Sequence, residues 1–192
     1  MTVNPPESLP WTNNPDADRL LAEDSLALLI GMLLDQQFPM ERAFFGPYLL
    51  QERLGGPLDA GEIADWDPEE FATIFRGPPA IHRYPASMAK RTQALCQTLV
   101  EEYGGAAERL WNEAGDGKEL YKRLKSLPGY GEMKSRVFVG ILGKRMGVQP
   151  PGWEEEAAQR PSIADVARWE DVAELRAMKR EMKKAAQAKK KG

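Results

Sequence analysis

Apolar residues in this chain return every three or four positions between breaks of glycine and proline, and no segment sustains the alternation of β-branched side chains that a half-buried strand needs. That pattern confines the chain to helices. SLALLIGMLL at 25–34 is apolar almost throughout, which predicts a helix buried on most sides and capped by Asp24 and Ser25. PMERAFFGPYLLQERLGG reads as a helix interrupted near Gly46-Pro47 and ended by Gly55-Gly56. Asp67 followed by Pro68 opens a short helix to Phe75, and the prolines of RGPPAIHRYP mark a loop. From Ala86 a helix carries Met88, Thr92, Leu95, Cys96 and Leu99 at helical spacing and closes at Gly104-Gly105. Two shorter helices, AAERLWNEA and KELYKRLKSL, precede EMKSRVFVGILGKRM, whose inward stripe holds Val137, Ile141 and Leu142. VQPPGWEEEAAQRPS is irregular with one short turn, and residues 163–191 supply the closing helices. The expectation is an all-α chain of about ten helices without internal repeats.

A length of 192 residues suffices for one domain, or for two small helical lobes around a shared cleft. The 42% hydrophobic and 29% charged content is that of an ordinary soluble globular chain, and no run approaches the roughly 18 apolar residues of a membrane helix. The first residues lack a basic region followed by an apolar stretch, so the expected location is cytoplasmic, with no membrane partner. Cys96 stands alone, which excludes an intrachain disulfide and a zinc or iron–sulfur site built on cysteines. The formal charge of -3 argues against nonspecific coating of DNA, yet it conceals a basic final segment, RAMKREMKKAAQAKKKG. This divides the chain into an extended arm at 1–15 anchored by Trp11, a helical domain at 16–175 and a basic C-terminal helix end and tail at 176–192.

The stretch LPGYG at 127–131 joins two helices through a turn of a few residues. Gly129 and Gly131 permit positive φ and let the backbone approach another molecule closely. The amides of the turn and of the following helix start would face outward as donors suited to a phosphate oxygen, with Lys134 and Arg136 in reach of the same strand. An ordinary corner between helices has the same composition.

An L-P-G-x-G turn followed by an amphipathic helix resembles the hairpin of the helix-hairpin-helix (HhH-GPD) DNA glycosylases, the superfamily of endonuclease III and of the adenine and alkyl-base glycosylases. MLLDQQFPMERAF at 32–44 is similar to their helix with paired glutamines, and IHRYPASMAKRTQALCQTLVEEYGG at 81–105 resembles the segment before their hairpin. Together the three pieces cover roughly residues 20–150. The resemblance implies a two-lobed helical fold with the hairpin within 120–145, acting as a monomer that removes a damaged or mismatched base after swinging its nucleotide out of double-stranded DNA. It makes Gly129, Tyr130, Gly131, Lys134 and Arg136 the backbone grip, and Gln36 or Gln37 the plug for the vacated space. Arg83, Lys90 and Arg91 become a basic edge beside the DNA, with His82 as a phosphate contact, while Trp153 and Tyr130 stack on the extruded base. An alkali cation at the hairpin carbonyls follows by analogy; no other cofactor or metal does.

Chemistry is where this chain departs from that pattern. Strand-cutting members carry a lysine four residues after the first hairpin glycine, and here that place is Met133. Lys134 lies one step on, about 100° round the helix, which disfavours a Schiff-base lyase and leaves Lys134 as the first lysine to test. The family's aspartate, about twenty residues past the hairpin, is missing from GVQPPGWEEEAA, where Glu154 is the nearest carboxylate; Asp35 is the other one placed to face the cleft. The expected function is a monofunctional glycosylase. The alternatives are a noncatalytic module that binds DNA structure or damage, and a scaffold turned to protein binding through its basic tail.

Overall fold

The structure, a computed structural model, describes residues 5–189. These residues are helical with no strand: α1 Pro15–Glu23, α2 Ser25–Leu34, α3 Met40–Leu54, α4 Ala60–Asp65, α5 Pro68–Arg76, α6 Pro85–Tyr103, α7 Arg109–Asn112, α8 Gly117–Ser126, α9 Glu132–Arg145, α10 Trp153–Glu156, a 3₁₀ turn Ile163–Asp165, and α11 Asp171–Lys189. The starts follow capping chemistry. Asp24 Oδ1 accepts from the Ala27 amide at 2.8 Å, and Asp67 Oδ1 accepts from Glu69 and Glu70 with Pro68 in the first helical position. The glycine stops also hold, with Gly55 and Gly104 in the left-handed region at φ 75 and 62.

α2 is the axis of the fold. Every residue from Leu26 to Leu34 is buried, between α1 and α3 on one side and α6 on the other, which is what its unbroken apolar character demands. α4 and α5 pack along α6, while α8, α10 and the 3₁₀ turn pack on α9.

Two expectations are corrected. α3 runs without interruption through Gly46-Pro47, because packing against α2 outweighs the one backbone bond proline removes: a β-carbon at position 46 would stand 2.5 Å from Leu34 Cδ1. Two short helices, α1 and α4, occupy stretches the sequence left unassigned, capped by Asn14 and Asp59. α11 runs on through residue 176, so the described part of the basic segment is the continuation of that helix. The arm is tied down, with Leu9 and Trp11 buried and Trp11 Nε1 donating to the Val166 carbonyl at 3.3 Å. Residues 1–4 of the arm and 190–192 of the tail lie outside the described residues. No described helix is long and apolar enough to cross a membrane.

Candidate functional site

The 127–131 corner is held against the last turns of α2 by three contacts. Gly129 has φ +79, and a β-carbon there would stand 2.3 Å from Leu33 Cδ1, so only glycine lets the corner close on this helix. The Tyr130 hydroxyl donates to the Leu29 carbonyl at 2.7 Å. Lys134 Nζ donates to the Leu33 carbonyl at 2.7 Å, placing a cation at the negative end of α2. Gly131 is different. Its φ of −93 is available to any residue and nothing lies within 4 Å of a β-carbon built on it. Gly131 is exposed and starts α9 without a side-chain cap, so the first amides of α9 have no acceptor from the helix itself and lie at its positive end beside the exposed residues 131–133.

The other end of the same carbonyl row is organised by His82. Buried to 1% exposure, it directs Nε2 at the carbonyls of Leu34 and Gln36, both at 3.1 Å, while Nδ1 accepts from the Tyr84 amide at 3.0 Å. Those partners require the neutral tautomer with the proton on Nε2, and burial lowers the imidazole pKa below its ordinary value. The expected phosphate contact is thus corrected: His82 is an internal clamp. What it clamps is the turn of Gln36 and Gln37. Gln36 accepts from Arg91 Nη1 through its side-chain oxygen at 2.8 Å. Gln37 is exposed at the apex with φ 53, a left-handed conformation that costs a non-glycine residue on the order of 1–2 kcal/mol.

Between the end of α2, the start of α9, the 160–163 segment and α11 lies a cavity of about 540 Å³. Its apolar wall includes Met32, Met133, Val137, Ile163 and Met182, and its polar wall is Asp35, Lys134, Arg160, Ser162, Lys179 and Lys183. Asp35 terminates α2 through its backbone, while its carboxylate has no hydrogen bond or ion pair among the described residues. Burial raises the Asp35 pKa above its ordinary value, against the opposing pull of the Lys179 and Lys134 charges. Burial pushes the Lys134 amine down to about 8, with Asp35 opposing and Arg91 assisting. An acid held neutral longer than usual and an ammonium that sheds its proton early share one concave, partly apolar site.

Several expected site residues stand elsewhere. Tyr130 is buried at 5% exposure with its hydroxyl committed to α2, so it is not a surface on which a base can stack. Trp153 packs its ring against Gly143, where a β-carbon would stand 2.2 Å from it, and does not line the cavity. Arg136 lies over the Tyr121 ring at 4.7 Å and donates to the Glu156 carbonyl at 3.2 Å, bracing α9 against α10 instead of reaching outward. Glu154 is exposed on α10 and does not line the cavity, because its side chain lies on the outward side of a helix anchored by Trp153. Arg83 and Lys90 are exposed, and Arg91 is half-buried beside the hairpin, with its Cδ 3.9 Å from the β-carbon position of Gly129. Among the described residues no three His, Cys, Asp or Glu side chains converge as a metal site would require, and the Cys96 thiol is buried with its pKa pushed up to about 12.

Sequence reasoning did not find Arg160, Lys179 or Lys183, which come from two segments far from the hairpin in the chain. The signal for the lysines was the i, i+4 spacing within the basic end. Comparison of this chain with family models, with curated proteins and with solved structures finds no match.

Proposed function

We propose that this protein is a DNA base-excision glycosylase that hydrolyses the N-glycosidic bond of a flipped base, with Asp35 as its working carboxylate. The observation that carries this reading is one cavity, beside the start of α9, lined both by an Asp35 carboxylate with no hydrogen bond or ion pair among the described residues and by a Lys134 amine of lowered pKa. The exposed amides at Gly131 take the sugar-phosphate backbone, Gln37 fills the space the nucleotide leaves, and the base enters the cavity against Met32, Met133 and Val137.

In that arrangement Asp35, ionised, stabilises the positive charge developing on the sugar and orients a water toward C1′. The bond from C1′ to the base nitrogen breaks as the water oxygen bonds to C1′ and passes its proton to the Asp35 carboxylate, and the base leaves with a proton of its own. Lys134 suits the donor of that proton, since a pKa of about 8 lies close to working pH. Asp35 thus takes the role that the sequence resemblance offered to Glu154 as well.

The test is base release from duplexes containing uracil, hypoxanthine, 8-oxoguanine or an alkylated base, read by alkaline cleavage at the abasic product. Asp35→Asn is expected to lower release by roughly 100-fold or more while duplex affinity changes less than about threefold. Normal turnover by Asp35→Asn would remove the carboxylate from the mechanism, and binding without release by the wild type would leave a noncatalytic DNA-binding module. A borohydride-trapped adduct lost in Lys134→Ala would reassign Lys134 from proton donor to nucleophile.

A further inference from the structure

α11 touches the body of the protein mainly through its first turns. Val172 and Leu175 are buried, Arg176 pairs with Glu41, and from Arg176 to Ala188 every side chain is exposed. Lys179 and Lys183, four residues apart and hence on one face, nevertheless converge on the cavity opposite Arg160 and Lys134. Lys184, on another face, pairs with Glu181 at 3.0 Å. Lys179, Lys183 and Arg160 have no acceptor among the described residues, and Asp35 is the one carboxylate in the wall. Four cations facing one carboxylate in a concavity repel one another unless an anion enters, and such a concavity concentrates anions. The methionine and valine wall beside them fits a flat apolar group joined to that anion, which is the makeup of a nucleotide.

We propose that Arg160, Lys179 and Lys183 form a phosphate-binding site at the cavity, which holds a phosphodiester of the strand whose nucleotide is being read. The site rests on the nucleic-acid reading above, and it makes the basic end of the chain part of the substrate grip. Lys179 then acts in two ways: its charge bears on Asp35 in the free protein, and it turns to the phosphate in the complex.

The experiment measures affinity for a fluorescein-labelled duplex carrying one tetrahydrofuran abasic analogue, as a function of salt, for the wild type, the double variant Lys179→Gln/Lys183→Gln, and a control of equal charge loss, Arg76→Gln/Lys118→Gln, on exposed positions away from the cavity. The cavity variant is expected to bind about tenfold more weakly near 100 mM salt, with the slope of log affinity against log salt reduced by about 1 to 2. The control is expected to keep the wild-type slope, and Lys179→Arg/Lys183→Arg to restore it. A cavity variant with the wild-type slope, or a control that loses as much, overturns the phosphate site. Salt-dependent binding that follows these expectations without any base release would overturn the glycosylase reading and leave the phosphate site standing. A wild type with no affinity for the duplex would overturn both.

Discussion

Gly129→Ala and Gly131→Ala separate two positions that look equivalent in LPGYG. At 129 alanine must adopt φ +79, which costs about 1–2 kcal/mol. Its β-carbon must also displace Leu33 Cδ1 from 2.3 Å, in a side chain with 0% exposure, and overpacking of that kind costs about 1–3 kcal/mol. Together these predict a loss of roughly 2–5 kcal/mol. At 131 alanine takes the existing φ of −93 with nothing within 4 Å, so the predicted change is under about 1 kcal/mol, most of it from the helix start. Urea denaturation of both variants reads the difference. Repeating Gly129→Ala in a Leu33→Ala background isolates the contact: the clash disappears and the cost falls to the backbone part, about 1–2 kcal/mol. An unchanged cost in that background would show that Leu33 is not what the corner closes on. A loss at 131 equal to that at 129 would refute the assignment of Gly129 to packing and Gly131 to the open surface. Under the proposed function, Gly131→Ala also weakens duplex binding in a protein of near-normal stability.

Lys134→Met keeps the aliphatic packing and removes the amine. Between about pH 8 and the ordinary value of 10.5, the folded protein has lost the Lys134 proton while the unfolded chain still holds it, so wild-type stability rises with pH relative to the variant, by up to about 3 kcal/mol. Urea midpoints at pH 7, 9 and 10 test this, and a constant difference would mean that the amine is not desolvated. His82→Gln is expected to cost about 1–3 kcal/mol at pH 7 by disturbing the two buried carbonyls. Because the folded imidazole resists protonation, the unfolded chain takes up the proton first as pH falls through 6.5; the wild type then loses stability relative to the variant, and a parallel pH profile for the two proteins would contradict the clamp.

The helical class, the caps at Asp24 and Asp67 and the stops at Gly55 and Gly104 were legible because each depends on a few neighbouring residues. Pro47 misled because a proline's local effect was overruled by a distant partner, Leu34, for which Gly46 makes room. At the candidate site the same divide holds. Asp35 and Lys134 were readable as neighbours of recognisable motifs, whereas the burial that shifts both pKa values depends on α11 and the 160–163 segment, brought in from far along the chain. Tyr130 and Arg136 were assigned to the ligand because aromatic and cationic residues beside a hairpin suit one; their hydrogen bonds to Leu29 and Glu156 are made across 101 and 20 residues and leave no trace in local sequence.

Tyr130 and Lys134 dock on the carbonyls of Leu29 and Leu33, so donors four residues apart in the chain, one in the turn and one on α9, meet acceptors four residues apart on α2. Four residues of helix, a rise of about 6 Å, therefore set the scale of any misalignment. A one-turn slide of the hairpin toward the end of α2 would bring the Tyr130 hydroxyl to Leu33 and carry the Lys134 amine past the helix into the turn that His82 holds. Like a two-pin plug, the corner has a single seating on α2.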